Sequence, residues 1–93
     1  MSRNVEVPGR STISCPLWHV EVECVPAPIL VERVLVVLRT RQVVISELHY
    51  IAPRAADAAL LTLTVEGSRE VIEQGMLFTE RVIGVLGTRM WPQ

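Results

Sequence analysis

The chain opens its regular patterning with an alternation. Trp18, Val20, Val22 and Cys24 alternate with His19, Glu21 and Glu23, a period of two that predicts a half-buried strand starting at Leu17. Pro26-Ala27-Pro28 ends it, because proline cannot donate to a ladder. Proline is tolerated in a first helical turn, so Pro28 can open the helix predicted over residues 29–41. There Leu30, Val31, Val34, Leu35, Val37 and Leu38 fill one arc, with Glu32, Arg33 and Arg39 opposite. Ile29 and Val36 fall among those charges, on the nominally wet side.

Residues 43–51 predict a second strand. Val43 and Ile45 share one parity, Leu48 and Tyr50 the other. A phase slip near Ser46-Glu47 would gather all four on one face, the mark of a β-bulge. A turn over 53–57 leads to a third strand at 59–66. Its Leu61, Leu63 and Val65 face one way; Thr62, Thr64 and Glu66 face the other. Ser68 is placed to cap a second helix over 69–81, and Glu70 and Glu73 favour its positive start. Val71, Ile72, Gly75, Phe78 and Val82 form its apolar arc. Glycine costs a helix roughly 1 kcal/mol against alanine, so Gly75 points to a close backbone approach. Residues 82–90 predict a fourth strand, bent by Gly84 and Gly87. Strand, helix, strand, strand, helix, strand gives an α+β, ferredoxin-like βαββαβ unit. Its sheet is antiparallel and four-stranded, with both helices on one face and strand two at an edge.

Composition changes the picture in one respect. Of 93 residues 49% are apolar, and no stretch approaches the ~20 apolar residues of a membrane span. The length suits one domain, and a domain this small buries only about 60–65% of its unfolded-chain surface. The apolar surplus implies either an unusually well covered sheet or apolar surface that meets another chain. Residues 1–16 lack periodicity and read as a flexible tail before a domain at 17–93. With no apolar leader segment, the expected location is cytoplasmic. Net charge is −1 and the nine arginines are scattered, so no nucleic-acid stripe is expected.

Candidate chemistry is sparse. Cys15 and Cys24 lie nine apart, unlike zinc or redox pairs; Cys24 is expected as a buried thiol, with no disulfide to Cys15. His19, Glu21 and Glu23 are spaced about 6.6 Å apart along one strand face and read as a solvated face, with His49 beside them, rather than a metal site. Ser46 and His49 do not form a convergent nucleophile and base, and Gly84 and Gly87 make no phosphate cradle. Glu73 and Glu80 solvate the second helix. The edge is more informative. Val43, Val44, Ile45, Leu48, Tyr50 and Ile51 make it apolar, only partly guarded by the bulge and Glu47, so it predicts a homodimer through strand two.

Residues 24–48 resemble the first strand, loop, helix and strand of ACT domains. The likeness is strongest to the small regulatory subunit of acetolactate synthase. It is carried by Glu32-Arg33-Val34-Leu35, Arg39-Thr40-Arg41 and Val43-Val44-Ile45, then by Leu61-Thr62-Leu63-Thr64-Val65 with Gly67-Ser68. It covers about residues 17–90. The resemblance implies a non-catalytic chain that binds and activates a catalytic subunit in branched-chain amino-acid biosynthesis. That subunit holds thiamine diphosphate, magnesium and FAD; this chain holds no cofactor. The family's amino-acid effector loop would correspond to Pro26, Ala27, Pro28, Ile29 and Leu30. Pro26 stands where feedback-sensitive members have asparagine, and Ile29 where they have glycine. The chain is thus more similar to the short, valine-insensitive type.

Two other classes stand beside this expectation. One is a free-standing module that senses an amino acid between two copies. The other is a small ferredoxin-like enzyme or scaffold. Under the regulatory reading, the out-of-phase residues Ile29, Val36 and Leu77 are expected to contact the catalytic subunit.

Overall fold

The computed structural model describes residues 16–54 and 57–93. The predicted tail, apart from Pro16, and Cys15 lie outside the described residues. The elements are β1 (Leu17–Cys24), α1 (Ile29–Thr40), β2 (Val44–Ile51), β3 (Ala59–Glu66), α2 (Arg69–Thr79) and β4 (Val85–Pro92). The sheet is antiparallel in the order β2-β3-β1-β4. This is the ferredoxin-like arrangement that the order of elements implied.

The alternation of β1 does what a period of two requires. Trp18, Val20, Val22 and Cys24 are buried, as are Ala59, Leu61, Leu63 and Val65 of β3. Helix α1 covers them with Leu30, Val34 and Leu38, and α2 with Ile72, Gly75 and Met76. The register of β2 against β3 shifts between Ile45 and Glu47, so Ser46 is the extra residue of a bulge. The Ser46 hydroxyl donates to the Thr64 carbonyl at 3.1 Å. Ile45, Leu48 and Tyr50 consequently pack on the core. Ser68 caps α2, its hydroxyl accepting from the Val71 N–H at 3.3 Å. An added Cβ at Gly75 would lie 3.1 Å from Leu38 Cδ2 and 3.2 Å from Val43 Cγ2. The glycine is there because Leu38 of α1 and Val43, just beyond its cap, come that close.

Three expectations need correction. Val43 is not part of the edge. Gln42 adopts φ 64°, Gln42 N–H donates to the Arg39 carbonyl and Val43 N–H to the Leu38 carbonyl. These are the two bonds of a Schellman cap, which turns Val43 inward to 3% exposure. The fourth strand begins at Val85 rather than 82, because residues 80–84 form the turn out of α2. The buried arc of α2 includes Met76 and Thr79. Phe78 is only half-buried, with the guanidinium of Arg41 3.4 Å and that of Arg81 4.9 Å from its ring centre. Thr79 is tolerated in the core because its hydroxyl donates to the Gly75 carbonyl at 2.8 Å.

Candidate functional site

Four surfaces bear on function. The first is the loop between β1 and α1, anchored from below. Leu30 is buried with Cys24 and Ala59, and the Val25 N–H donates to the Gly84 carbonyl at 2.8 Å. Ala27 N–H donates to the Val25 carbonyl, Leu30 N–H to Ala27 and Val31 N–H to Pro28. Pro26 and Pro28 have no N–H to offer. The loop therefore presents proline rings and the half-exposed Ile29 rather than a row of donors. An apolar contact suits such a surface better than a carboxylate does. Burial, with the neighbouring Glu23 charge, pushes the Cys24 thiol above its ordinary pKa, which keeps it protonated and unreactive.

The second surface lies on the outer side of α1. Ile29, Val36 and Val37 meet Val82 and Ile83 around a groove of about 510 Å³, with Glu32 and Arg33 at its rim. Ile29 is 49% exposed, Val36 58% and Ile83 87%. The sequence singled out Ile29 and Val36, and they are brought together here. Leu77 is not with them. It is 52% exposed on α2, beside a separate hollow with Met76, Glu80 and Met90. The sequence pattern does not single out Ile83, because residues 82–90 read as a strand; the apolar pair Val82-Ile83 directly before Gly84 is the one signal for an exposed turn.

The third surface is the edge of β2. Val44 and Ile51 are 56% and 53% exposed, whereas Ile45, Leu48 and Tyr50 are half-buried and face the core. The Tyr50 hydroxyl is buried and has no hydrogen-bond partner among the described residues.

The fourth is the open sheet face. Pairing registers set out its rows: Glu47, Thr64, His19 and Trp91; then His49, Thr62, Glu21 and Arg89; then Ile51, Leu60, Glu23 and Gly87. The His19 and Trp91 rings lie 4.6 Å apart, and Arg89 pairs with Glu21. His49 does share this outer face. Among the described residues no cluster of three or more His, Cys, Asp or Glu is disposed to hold a metal ion. No helix among them is long and apolar enough to cross a membrane.

No protein-family model matches the sequence, and no curated protein matches it. Solved structures do. A homoserine dehydrogenase from Thiobacillus denitrificans superimposes with a TM-score of 0.71 at 9% identity, over 83% of this chain and 17% of that one. The C-terminal domain of the MgtC protein from Mycobacterium tuberculosis gives 0.69 at 17% identity, over 96% and 94%. The ACT domain of GTP pyrophosphokinase from Chlorobium tepidum gives 0.69 at 12% identity, over 83% and 99%. At such identities the likeness speaks for backbone architecture: the chain carries the ferredoxin-like fold found in ACT domains.

Proposed function

We propose that this chain is a regulatory, non-catalytic subunit that binds and activates the catalytic subunit of acetolactate synthase in the cytoplasm, itself a homodimer through β2. The catalytic subunit would hold thiamine diphosphate, magnesium and FAD. The observation that carries the reading is the groove on α1, where Ile29, Val36 and Ile83 expose apolar surface beside Glu32 and Arg33. A helix in a soluble chain rarely exposes such a group without a partner. The resemblance over residues 24–48 names the partner, and the ACT-like architecture supports it. Leu77 would make a second, separate contact. Activation then amounts to tighter binding to the active form of the catalytic subunit than to the inactive one.

Val36→Asp tests this. Val36 is exposed, so the variant keeps its far-UV circular dichroism. A charge at a desolvated contact weakens assembly with the catalytic subunit by about tenfold or more. Unchanged assembly and activation would refute the assignment of this face.

A second reading is a free-standing amino-acid sensor, with an effector at Pro26, Ala27, Pro28, Ile29 and Leu30. The fold shared with an ACT domain supports it; the engaged N–H groups of the loop speak against it. Calorimetry with branched-chain amino acids separates the two, since a saturable heat favours the sensor.

A further inference from the structure

The β2 edge carries more information than its apolarity. Among the described residues no strand pairs on its outer side. After the bulge, Glu47, His49 and Ile51 point to the open sheet face together with Val44, while Ile45, Leu48 and Tyr50 point to the helices. In an antiparallel pair, residues directly opposite point to the same side. A two-fold axis through a β2 edge must therefore set open-face residues against open-face residues.

We infer that two copies join edge to edge with the two-fold axis at Leu48, making one eight-stranded sheet in which Glu47 of each copy faces His49 of the other. The inference rests on the homodimer reading above and adds its register. With Leu48 opposite itself, the flanking open-face pairs are Glu47 with His49 of the second copy. Beyond the bulged Ser46 come Val44 with Ile51, and on the helix side Ile45 with Tyr50. Every pair matches. The exposed side chains of Val44 and Ile51 cover each other, and the imidazole N–H of His49 donates to the Glu47 carboxylate, twice by symmetry.

Neighbouring registers fail on the same test. An axis at Glu47 opposes two like carboxylates and sets His49 against Val44. An axis at His49 opposes two imidazoles and sets Glu47 against Ile51. Like charges directly opposite destabilise a strand pair. The other edge is less suited to such pairing: β4 contains Gly87, ends at Pro92, which has no N–H to donate, and its register against β1 shifts between Glu23 and Cys24, leaving Leu86 unpaired.

The test is sedimentation equilibrium of the full chain and three variants. Wild type is dimeric. Glu47→Lys removes both acceptors and sets a cation against His49, weakening the dimer by about tenfold or more. His49→Glu sets carboxylate against carboxylate and weakens it similarly. The double variant Glu47→Lys with His49→Glu restores opposite charges across the axis and returns the dimer to within a few-fold of wild type. The side chains of Glu47 and His49 are both exposed, and circular dichroism checks that each variant folds. A monomeric wild type overturns the homodimer itself. A dimer indifferent to the single changes, or a double variant weaker than either single, overturns the register and leaves the homodimer standing.

Discussion

Replacing Gly84 with alanine tests how the β1–α1 loop is held. Gly84 sits at φ 102°, in the region that L-residues avoid. A residue forced there stores about 1–3 kcal/mol of strain. The added Cβ would also lie 2.7 Å from Leu30 Cδ1, 3.1 Å from Leu30 Cδ2 and 3.2 Å from Val25 Cγ2. Leu30 is buried at 3% exposure and cannot swing into solvent, so overpacking adds about 1–3 kcal/mol. The sum is about 2–6 kcal/mol, a large share of the ~5–15 kcal/mol that holds a small domain together. At about 4–8 °C per kcal/mol for a domain of this size, the melting temperature falls by roughly 10 °C or more.

A double-mutant cycle with Leu30→Ala isolates the clash. That substitution alone leaves a cavity and costs about 2–5 kcal/mol. Combined with Gly84→Ala it removes the contact but not the backbone strain. The double variant is therefore less destabilised than the sum of the singles by about 1–3 kcal/mol. Urea denaturation followed by circular dichroism measures all four corners. Strict additivity, or a Gly84→Ala variant within ~0.5 kcal/mol of wild type, would refute the account.

The remaining predictions concern single sites. Gln42→Gly relieves a left-handed residue at the Schellman position and stabilises the chain by about 0.5–1 kcal/mol, read as a higher urea midpoint with unchanged slope; a lower midpoint refutes it. Tyr50→Phe removes a buried hydroxyl without a partner among the described residues, so stability is unchanged or rises by up to about 1 kcal/mol. A loss of more than ~1 kcal/mol in thermal melts would mean that the hydroxyl has a partner after all.

Periodicity made the fold legible because β1 and β3 obey a strict alternation against a single core. The bulge at Ser46 was legible for the same reason: only a slipped phase reconciles Ile45 with Leu48 and Tyr50. What periodicity missed is local backbone geometry. Val43 carries the composition of a strand residue, yet the cap, in which Gln42 N–H donates to the Arg39 carbonyl and Val43 N–H to that of Leu38, turns it into the core before the ladder begins. Residues 82–84 look like the start of a strand, yet the turn that leaves α2 over 80–84 uses them to display Ile83. Phe78 looks like core, yet it is only half-buried, and the guanidinium of Arg41, distant in sequence, lies over its ring. In each case the deciding contact is a hydrogen bond or a long-range approach that leaves no period. The candidate surfaces follow the same division: Ile29 and Val36 were visible as residues out of phase, whereas their union with Ile83 needed the turn.

The two sheet edges bear on how many copies can join. A sheet with two pairing-competent edges can add copies without end, as a ribbon, whereas one such edge allows only a closed pair. In this chain β4 is interrupted by Gly87, Leu86 and Pro92. β2 has neither glycine nor proline, and its bulge falls at one end, leaving residues 47–51 in regular register with β3. The exposed apolar residues Val44 and Ile51 flank Glu47 and His49 rather than cluster, so in the proposed pairing a slip by one residue on either side brings a polar group against apolar surface. In the proposed dimer, an apolar edge that would be an aggregation hazard if flat and uncharged is limited to one partner in one register. The exposed apolar surface of so small a domain thus falls in two places, the β2 edge that the proposed second copy would close and the α1 groove that the proposed catalytic subunit would cover.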